Sequence, residues 1–296
     1  MLSILIPTYN NDCYDVVEAL QRQAVKGNFP YEIIVMDDCS TMPVARNEQI
    51  NALSGCRYIK LGKNIGKTKI KNRLAEEAKG DVLLLLDDDG MPESDDYLEK
   101  YYRQMDNPQV QVVCGGRTYQ PTKPNREFYL HWKYGKSREV KSASERNRHP
   151  YNSFMIANMC IKKSVYEQIR LDERMHLYGH EDSVFGVNLK HAMIPVCHID
   201  NPLRHIGLVS VKKFIDNQAE SVNSVAMLIR NGQEDVELIK LANVYKRMRT
   251  LRLNGILSHF ADAIDKLARR QLEGNSPCLR LMDFWKLTHL CAVLKN

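Results

Sequence analysis

Five consecutive aliphatic residues, Val82-Leu83-Leu84-Leu85-Leu86, run straight into Asp87-Asp88-Asp89 and then Gly90. A strand that is apolar without alternation is buried on both faces, and that happens in sheets covered by helices on both sides. The surrounding sequence agrees. Residues 2–6, 32–36, 57–61 and 82–86 predict strands, and the mixed apolar and charged stretches 14–24 and 67–78 predict crossover helices between them. This alternation is the βαβ signature of an α/β fold with a mostly parallel, open, doubly wound sheet.

Sheets of this kind bind ligands beyond the carboxyl ends of their strands, near the point where strand order reverses. Polar residues gather at three such ends: Pro7-Thr8-Tyr9-Asn10, Asp37-Asp38 and Asp87-Asp88-Asp89. Asp and Asn are also ordinary turn formers, so each cluster alone is compatible with a solvated turn. Three adjacent carboxylates repel one another unless a proton or cation sits among them. Mg2+ or Mn2+ held by Asp87 and Asp89, with a diphosphate completing the shell, is the simplest arrangement. A competing chemistry uses the first aspartate of an Asp-x-Asp-Gly stretch as a phosphohydrolase nucleophile, here Asp87. That architecture starts at the nucleophile strand, whereas three strand-like units precede this one.

Downstream, residues 115–151 are irregular, with Pro121, Pro124, Pro150 and a basic run over 133–148. Residues 154–161 and 195–199 predict strands, and 181–191 a helix opening on Glu181-Asp182. Beyond Val211 the apolar residues recur at helical spacing, as in Leu238, Leu241, Ala242, Tyr245 and Met248. We therefore expect an α/β domain over 1–207, divided at about 116/117, and a helical extension over 208–296. Residues 240–296 carry 11 Lys or Arg against 4 Asp or Glu within a chain of net charge +6. Such an excess suits an anionic partner or a solvated helix face. The cysteines show no C-x-x-C spacing, which argues against a zinc ribbon or redox pair. The opening residues lack the pattern of a signal peptide, and no apolar run is long enough to span a bilayer. The expected location is cytoplasmic, with peripheral contact on the membrane's inner face left open to the basic amphipathic helices and no nucleic acid expected.

The strings ILIPTYN, EIIVMDDCST, LGKNIGKTKIKNRLAEEAKGDVLLLLDDDG and YGHEDSVFG occur in the order and spacing of the family 2 glycosyltransferases, and the resemblance spans about Ser3 to Gly207. It implies the GT-A fold and transfer of a sugar, with inversion, from a nucleoside-diphosphate donor such as a UDP-sugar to a saccharide or lipid-linked acceptor. It also implies a role in polysaccharide biosynthesis, and makes 1–207 the catalytic domain, with its nucleotide half at about 1–116 and its acceptor half at 117–207. By resemblance, Pro7, Thr8, Tyr9 and Asp38 hold the base and ribose. Asn64, Gly66 and Lys67 line the loop leading into the next helix, and Asp87 and Asp88 belong to the donor site. The metal falls to Asp87 and Asp89 with a late histidine, His205 in preference to His198. Asp182 is the expected general base, with Glu181 beside it holding the acceptor, and His180 lines the acceptor pocket by position alone. The alternatives are the metal-dependent phosphohydrolase and a protein that binds sugar nucleotides without turnover.

Overall fold

The computed structural model describes residues 1–42, 44–152, 154–175, 177–232, 236 and 238–295. In chain order the elements are β1 (Leu2–Thr8), α1 (Tyr14–Gly27), β2 (Tyr31–Asp37), a 3-10 helix (Ala45–Ala52), β3 (Cys56–Lys60), α2 (Lys67–Glu77), β4 (Val82–Leu86) and β5 (Gly90–Pro92). There follow α3 (Tyr97–Met105), β6 (Val112–Cys114), β7 (Arg117–Tyr119), α4 (Tyr129–Arg138), α5 (Ala143–Asn147), β8 (Asn158–Lys162), α6 (Lys163–Ile169) and α7 (Glu181–His191). The remainder is β9 (Val196–His198), β10 (Leu203–His205), α8 (Val211–Arg230), α9 (Lys240–Thr250), α10 (Asn254–His259), α11 (Ala261–Leu272) and α12 (Leu279–Lys295).

Two compact units share these elements. The first comprises Met1–Gln120, Val140–His176 and Asn188–Gly207; the second comprises Pro121–Glu139, Leu177–Val187 and Leu208–Asn296. The helical unit therefore begins its longest segment at Leu208 and also recruits two earlier stretches, one of which carries Glu181 and Asp182.

The first unit is built on a seven-stranded sheet of order β3-β2-β1-β4-β8-β6-β9. β1 is paired in parallel with β2 on one side and with β4 on the other. The chain winds outward from β1 through β2 to β3 and then returns to β4, so the strand order reverses between β1 and β4. β8 runs antiparallel to both β4 and β6, which makes the sheet mixed beyond the switch point. Leu83 to Leu86 of β4 are buried on both faces, as the uninterrupted apolar run requires. Ile4, Ile6, Leu84 and Leu86 join Val16, Val17 and Leu20 of α1 in one core. Each fully buried aliphatic side chain there contributes about 1.5–3 kcal/mol. A second sheet of three short strands, β5-β10-β7, lies in the same unit.

The segment that reads as irregular in sequence contains β7, α4 and α5. The last is fixed by a capping box in which Ser142 and Glu145 satisfy each other's backbone amides. The second unit is helical, with Leu130, Phe214, Ile215, Ala268, Leu272, Met282 and Trp285 forming its core. No helix among the described residues is long and apolar enough to cross a membrane.

Candidate active site

The carboxyl ends of β1 and β4 lie side by side because the strands are in register, and this puts Thr8 next to the acidic triplet. Thr8 Oγ1 donates to Asp88 Oδ2 at 2.6 Å, and Asn11 Nδ2 donates to the Asp88 carbonyl at 3.3 Å. Burial pushes the Asp88 carboxyl up to about 6; the Thr8 bond opposes this, and the adjacent Asp89 and Asp87 add to it. Asp88 is thus tied inward to β1, whereas Asp87 and Asp89 turn to other partners.

The loops after β1 and β2 are stitched together. Asn10, with φ of 54°, accepts from the amides of Thr41 and Met42 at 2.8 and 2.9 Å, and its own amide donates to Ser40 Oγ at 2.7 Å. Asp37 accepts from Tyr58 Oη and from the Ser40 amide at 2.7 Å. Asp38 is buried, and its two oxygens accept from the amides of Ile65 and Gly66 at 2.7 and 2.9 Å. Asn64 Nδ2 returns a bond to the Asp38 carbonyl at 3.0 Å. Each Asp38 carboxylate oxygen thus takes one bond from the 62–66 loop and keeps a further lone pair. Gly66, at φ of 89°, then turns the chain into α2. Lys67, the first residue of that helix, is exposed, as is Tyr9, whereas Pro7 is half-buried in β1.

Asp87 has a partner that the sequence reading did not single out. Lys71 Nζ, on a side chain 2% exposed, stands 2.8 Å from Asp87 Oδ1, and Arg117 Nη2 stands 3.9 Å from Oδ2. Burial alone would raise this carboxyl, but Lys71, with Lys67 and Arg117, holds it well below the usual carboxylate range. Lys67 and Lys71 are one helical turn apart on α2, so the spacing was readable. The signal was hidden because a lysine-rich helix usually faces water. Arg117 lay in the stretch that looked irregular.

Asp89 faces the small sheet. β10 pairs with β5 so that His205 lies opposite Gly90, and this brings His205 Nδ1 to 3.2 Å from Asp89 Oδ1. Burial raises the Asp89 carboxyl and the imidazole contact more than offsets it, so the net direction is down. The approach is close but off the line of a hydrogen bond, and Asp89 Oδ1 is buried without an aligned donor. A Cβ on Gly207 would meet Asp89 Oδ2 at 2.4 Å, so only glycine fits beside this carboxylate. His198 is engaged elsewhere: its Nδ1 accepts from Arg146 Nε at 3.2 Å and its Nε2 donates to the Pro150 carbonyl at 2.9 Å. Of the two late histidines, His205 is the one beside the acidic triplet.

The donor set at Asp89 tests whether a divalent ion fits. A buried carboxylate oxygen lacking a donor is a natural ligand atom, and the neighbouring imidazole supplies a second. Among the described residues no three His, Cys, Asp or Glu side chains stand at ligating spacing. An ion here would therefore take one or two protein ligands and complete its shell with phosphate oxygens and water, which is how Mg2+ is usually held. Asn158 supports the wall of the site. Its Oδ1 accepts from Tyr97 Oη and Tyr101 Oη, both at 2.6 Å, while its Nδ2 donates to the Gly116 and Asn201 carbonyls at 2.7 and 2.9 Å.

Glu181 and Asp182 occupy the first turn of α7, where carboxylates are favoured by the helix dipole. Glu181 is buried and Asp182 half-buried. They belong to the helical unit, together with His180, and the acidic triplet belongs to the other. The turn before α7 is left-handed at both Gly179 and His180, with φ of 87° and 70°. Ser221 of α8 secures it, its Oγ lying 3.1 Å from His180 Nε2.

A mostly parallel α/β sheet whose acidic triplet sits at the β1/β4 switch point, with a helical region following, is the GT-A architecture. The sequence model of glycosyl transferase family 2 matches residues 3–170, and the chain belongs to that family. An uncharacterized glycosyltransferase of Haemophilus influenzae is 31% identical over 125 residues, which is 42% of this chain and 39% of that protein. The uncharacterized glycosyltransferase YwdF of Bacillus subtilis is 35% identical over 92 residues, 30% of this chain and 32% of that one. The matches thus span about two fifths and one third of those relatives' lengths. Among solved structures, the mannosyltransferase PcManGT from Pyrobaculum calidifontis, in complex with GDP-Man and Mn2+, has a TM-score of 0.57 at 18% identity, covering 100% of this chain and 86% of that one. S. aureus TarS 1–349 in complex with UDP-GlcNAc has a TM-score of 0.55 at 16% identity, covering 99% and 90%. At these identities the likeness is one of fold.

Proposed function

We propose that this protein transfers a sugar from a nucleoside-diphosphate donor, a UDP-sugar, to a hydroxyl of a saccharide or lipid-linked acceptor in polysaccharide assembly, with inversion at the anomeric carbon. The observation that carries the reading is the acidic triplet at the switch point, whose three carboxylates have three different environments: Asp87 against Lys71, Asp88 against Thr8, and Asp89 against His205. A purely structural turn has no use for such differentiation.

Asp89 and His205 would hold the divalent ion, and the ion when bound would neutralise charge on the diphosphate leaving group. The imidazole is a poor ligand for hard Mg2+, which favours Mn2+. Thr8, Tyr9 and the 64–66 loop, braced by Asp38, form the nucleotide side of the site. The amino end of α2 offers backbone N–H groups and the Lys67 ammonium to the anionic donor. The Lys71–Asp87–Arg117 network keeps Asp87 ionised. Asp182 accepts the acceptor's proton as its oxygen attacks, and Glu181 holds that acceptor. We take residues 1–207 as the catalytic domain and 208–296 as its helical extension.

The test is a screen of nucleotide sugars for slow, metal-dependent donor hydrolysis, followed by transfer assays with Asp182→Asn. The amide keeps the shape of the carboxylate and cannot take a proton, so donor affinity should persist while transfer falls about 10²–10⁴-fold. Near wild-type transfer at saturating donor and acceptor would remove Asp182 from the mechanism and leave Glu181 as the next candidate. Hydrolysis of none of the nucleotide sugars, with or without metal, would count against the transferase reading itself.

A further inference from the structure

The helical unit carries a surface that the transferase reading does not use. Along residues 251–267 five large apolar side chains face solvent: Leu251 (62% exposed), Leu253 (39%), Ile256 (57%), Phe260 (53%) and Leu267 (58%). Ile256 lies on α10, Phe260 is the residue between α10 and α11, and Leu267 lies on α11. Isolated exposed leucines are ordinary, whereas five large apolar side chains exposed within one short stretch fit a contact surface. The same stretch opens on Lys246, Arg247, Arg249 and Arg252, all exposed. None of the four is in an ion pair with a described residue, and the first Asp or Glu after Lys240 is Asp262, exposed on α11.

We propose that the α9–α11 face docks on an anionic lipid surface, the basic residues meeting the headgroups while Leu251, Ile256 and Phe260 enter the boundary of the acyl chains. The pairing of apolar and basic side chains selects this occupant. An interfacial helix combines an apolar face with Lys and Arg at its border, and anionic headgroups supply the countercharge the protein lacks here. A second copy of the chain would bring four more unpaired cations against the same four in an isologous contact. A nucleic-acid backbone would engage the cations and leave the apolar side chains in water. The inference is independent of any donor or acceptor, so its failure leaves the transferase reading intact.

The experiment is sedimentation of the full chain with phosphatidylcholine vesicles, with and without phosphatidylglycerol, at low and high salt. Binding should require phosphatidylglycerol and weaken as salt rises. Arg249→Gln with Arg252→Gln should lower the partition coefficient about fivefold per charge removed. Ile256→Ser with Phe260→Ser should lower it at least tenfold, since each apolar side chain loses its burial. All four positions are on the surface, so circular dichroism should be unchanged. A Phe260→Trp variant should show blue-shifted emission and quenching by brominated lipid on the anionic vesicles. The proposal is overturned if wild type ignores phosphatidylglycerol vesicles at low salt, if it binds neutral vesicles equally well, or if the indole emission of the Phe260→Trp variant does not move. It is also overturned if the protein is dimeric and Ile256→Ser with Phe260→Ser makes it monomeric, because the face is then a contact between copies.

Discussion

Replacing Lys71 by Met removes the ammonium 2.8 Å from Asp87 Oδ1 and keeps most of the aliphatic volume of the side chain. Lys71 is 2% exposed and Asp87 22%, so the pair is screened little by solvent. Breaking a buried pair by removing one partner typically costs about 3–5 kcal/mol, because the survivor's charge is left uncompensated. Here Arg117 remains 3.9 Å from the other carboxylate oxygen, which puts the expected loss near the lower end, about 3 kcal/mol. That corresponds to roughly a hundredfold change in the folding equilibrium. Urea unfolding in the presence of a chelator should show a lower midpoint with an unchanged slope. Adding Asp87→Asn to Lys71→Met should recover part of the loss, because the amide no longer presents a bare buried charge. Two residues in direct contact should therefore show a coupling of about 1–3 kcal/mol in the double-mutant cycle. If the two effects add within about 0.5 kcal/mol, Lys71 is not what keeps Asp87 ionised, and the argument for that network fails.

Gly207→Ala should leave the fold intact and weaken Mn2+-dependent donor binding, since the new Cβ would displace the Asp89 carboxylate it meets at 2.4 Å; calorimetric titration would reveal it. Asn158→Leu should destabilise by at least about 3 kcal/mol in chemical denaturation, because two tyrosine hydroxyls and two carbonyls lose their partner at once. His180 is held down to about 4 by burial, with Glu181 opposing and Lys286 assisting. Between its ordinary value of 6.5 and 4 the unfolded chain binds the extra proton, so stability falls as pH drops through that window, by up to about 3 kcal/mol from this group. His180→Gln should flatten that part of the stability profile, and an unchanged slope would contradict the assignment.

The sheet was legible because its strands are local and chemically blunt. The aliphatic run 82–86, the β-rich stretches near 2–6, 32–36 and 57–61, and the acidic strand ends all carry their meaning in a few consecutive residues. What escaped was set by tertiary partners. β6 and β7 are three residues each and derive their order from β8, β9 and β10 rather than from any pattern of their own. The antiparallel direction of β8 depends on how the chain returns to the sheet, which no local period encodes. Within the site, Asp87, Asp88 and Asp89 were visible as a triplet, but their different environments come from Lys71, Thr8 and His205, residues 16, 80 and 116 positions away in sequence. Asp38 shows the same limit. Its place at a strand end is local, while its bonds to Ile65 and Gly66 depend on a loop whose path only the fold fixes.

Metal-dependent binding of nucleoside diphosphate to wild type and Asp89→Asn bears most directly on the central claim. Wild type should bind UDP much more tightly with Mn2+ than with chelator, and Asp89→Asn, folded to the same midpoint, should lose that enhancement because the amide that replaces the buried carboxylate carries no negative charge for the ion. Equal Mn2+ enhancement in the two proteins would contradict it.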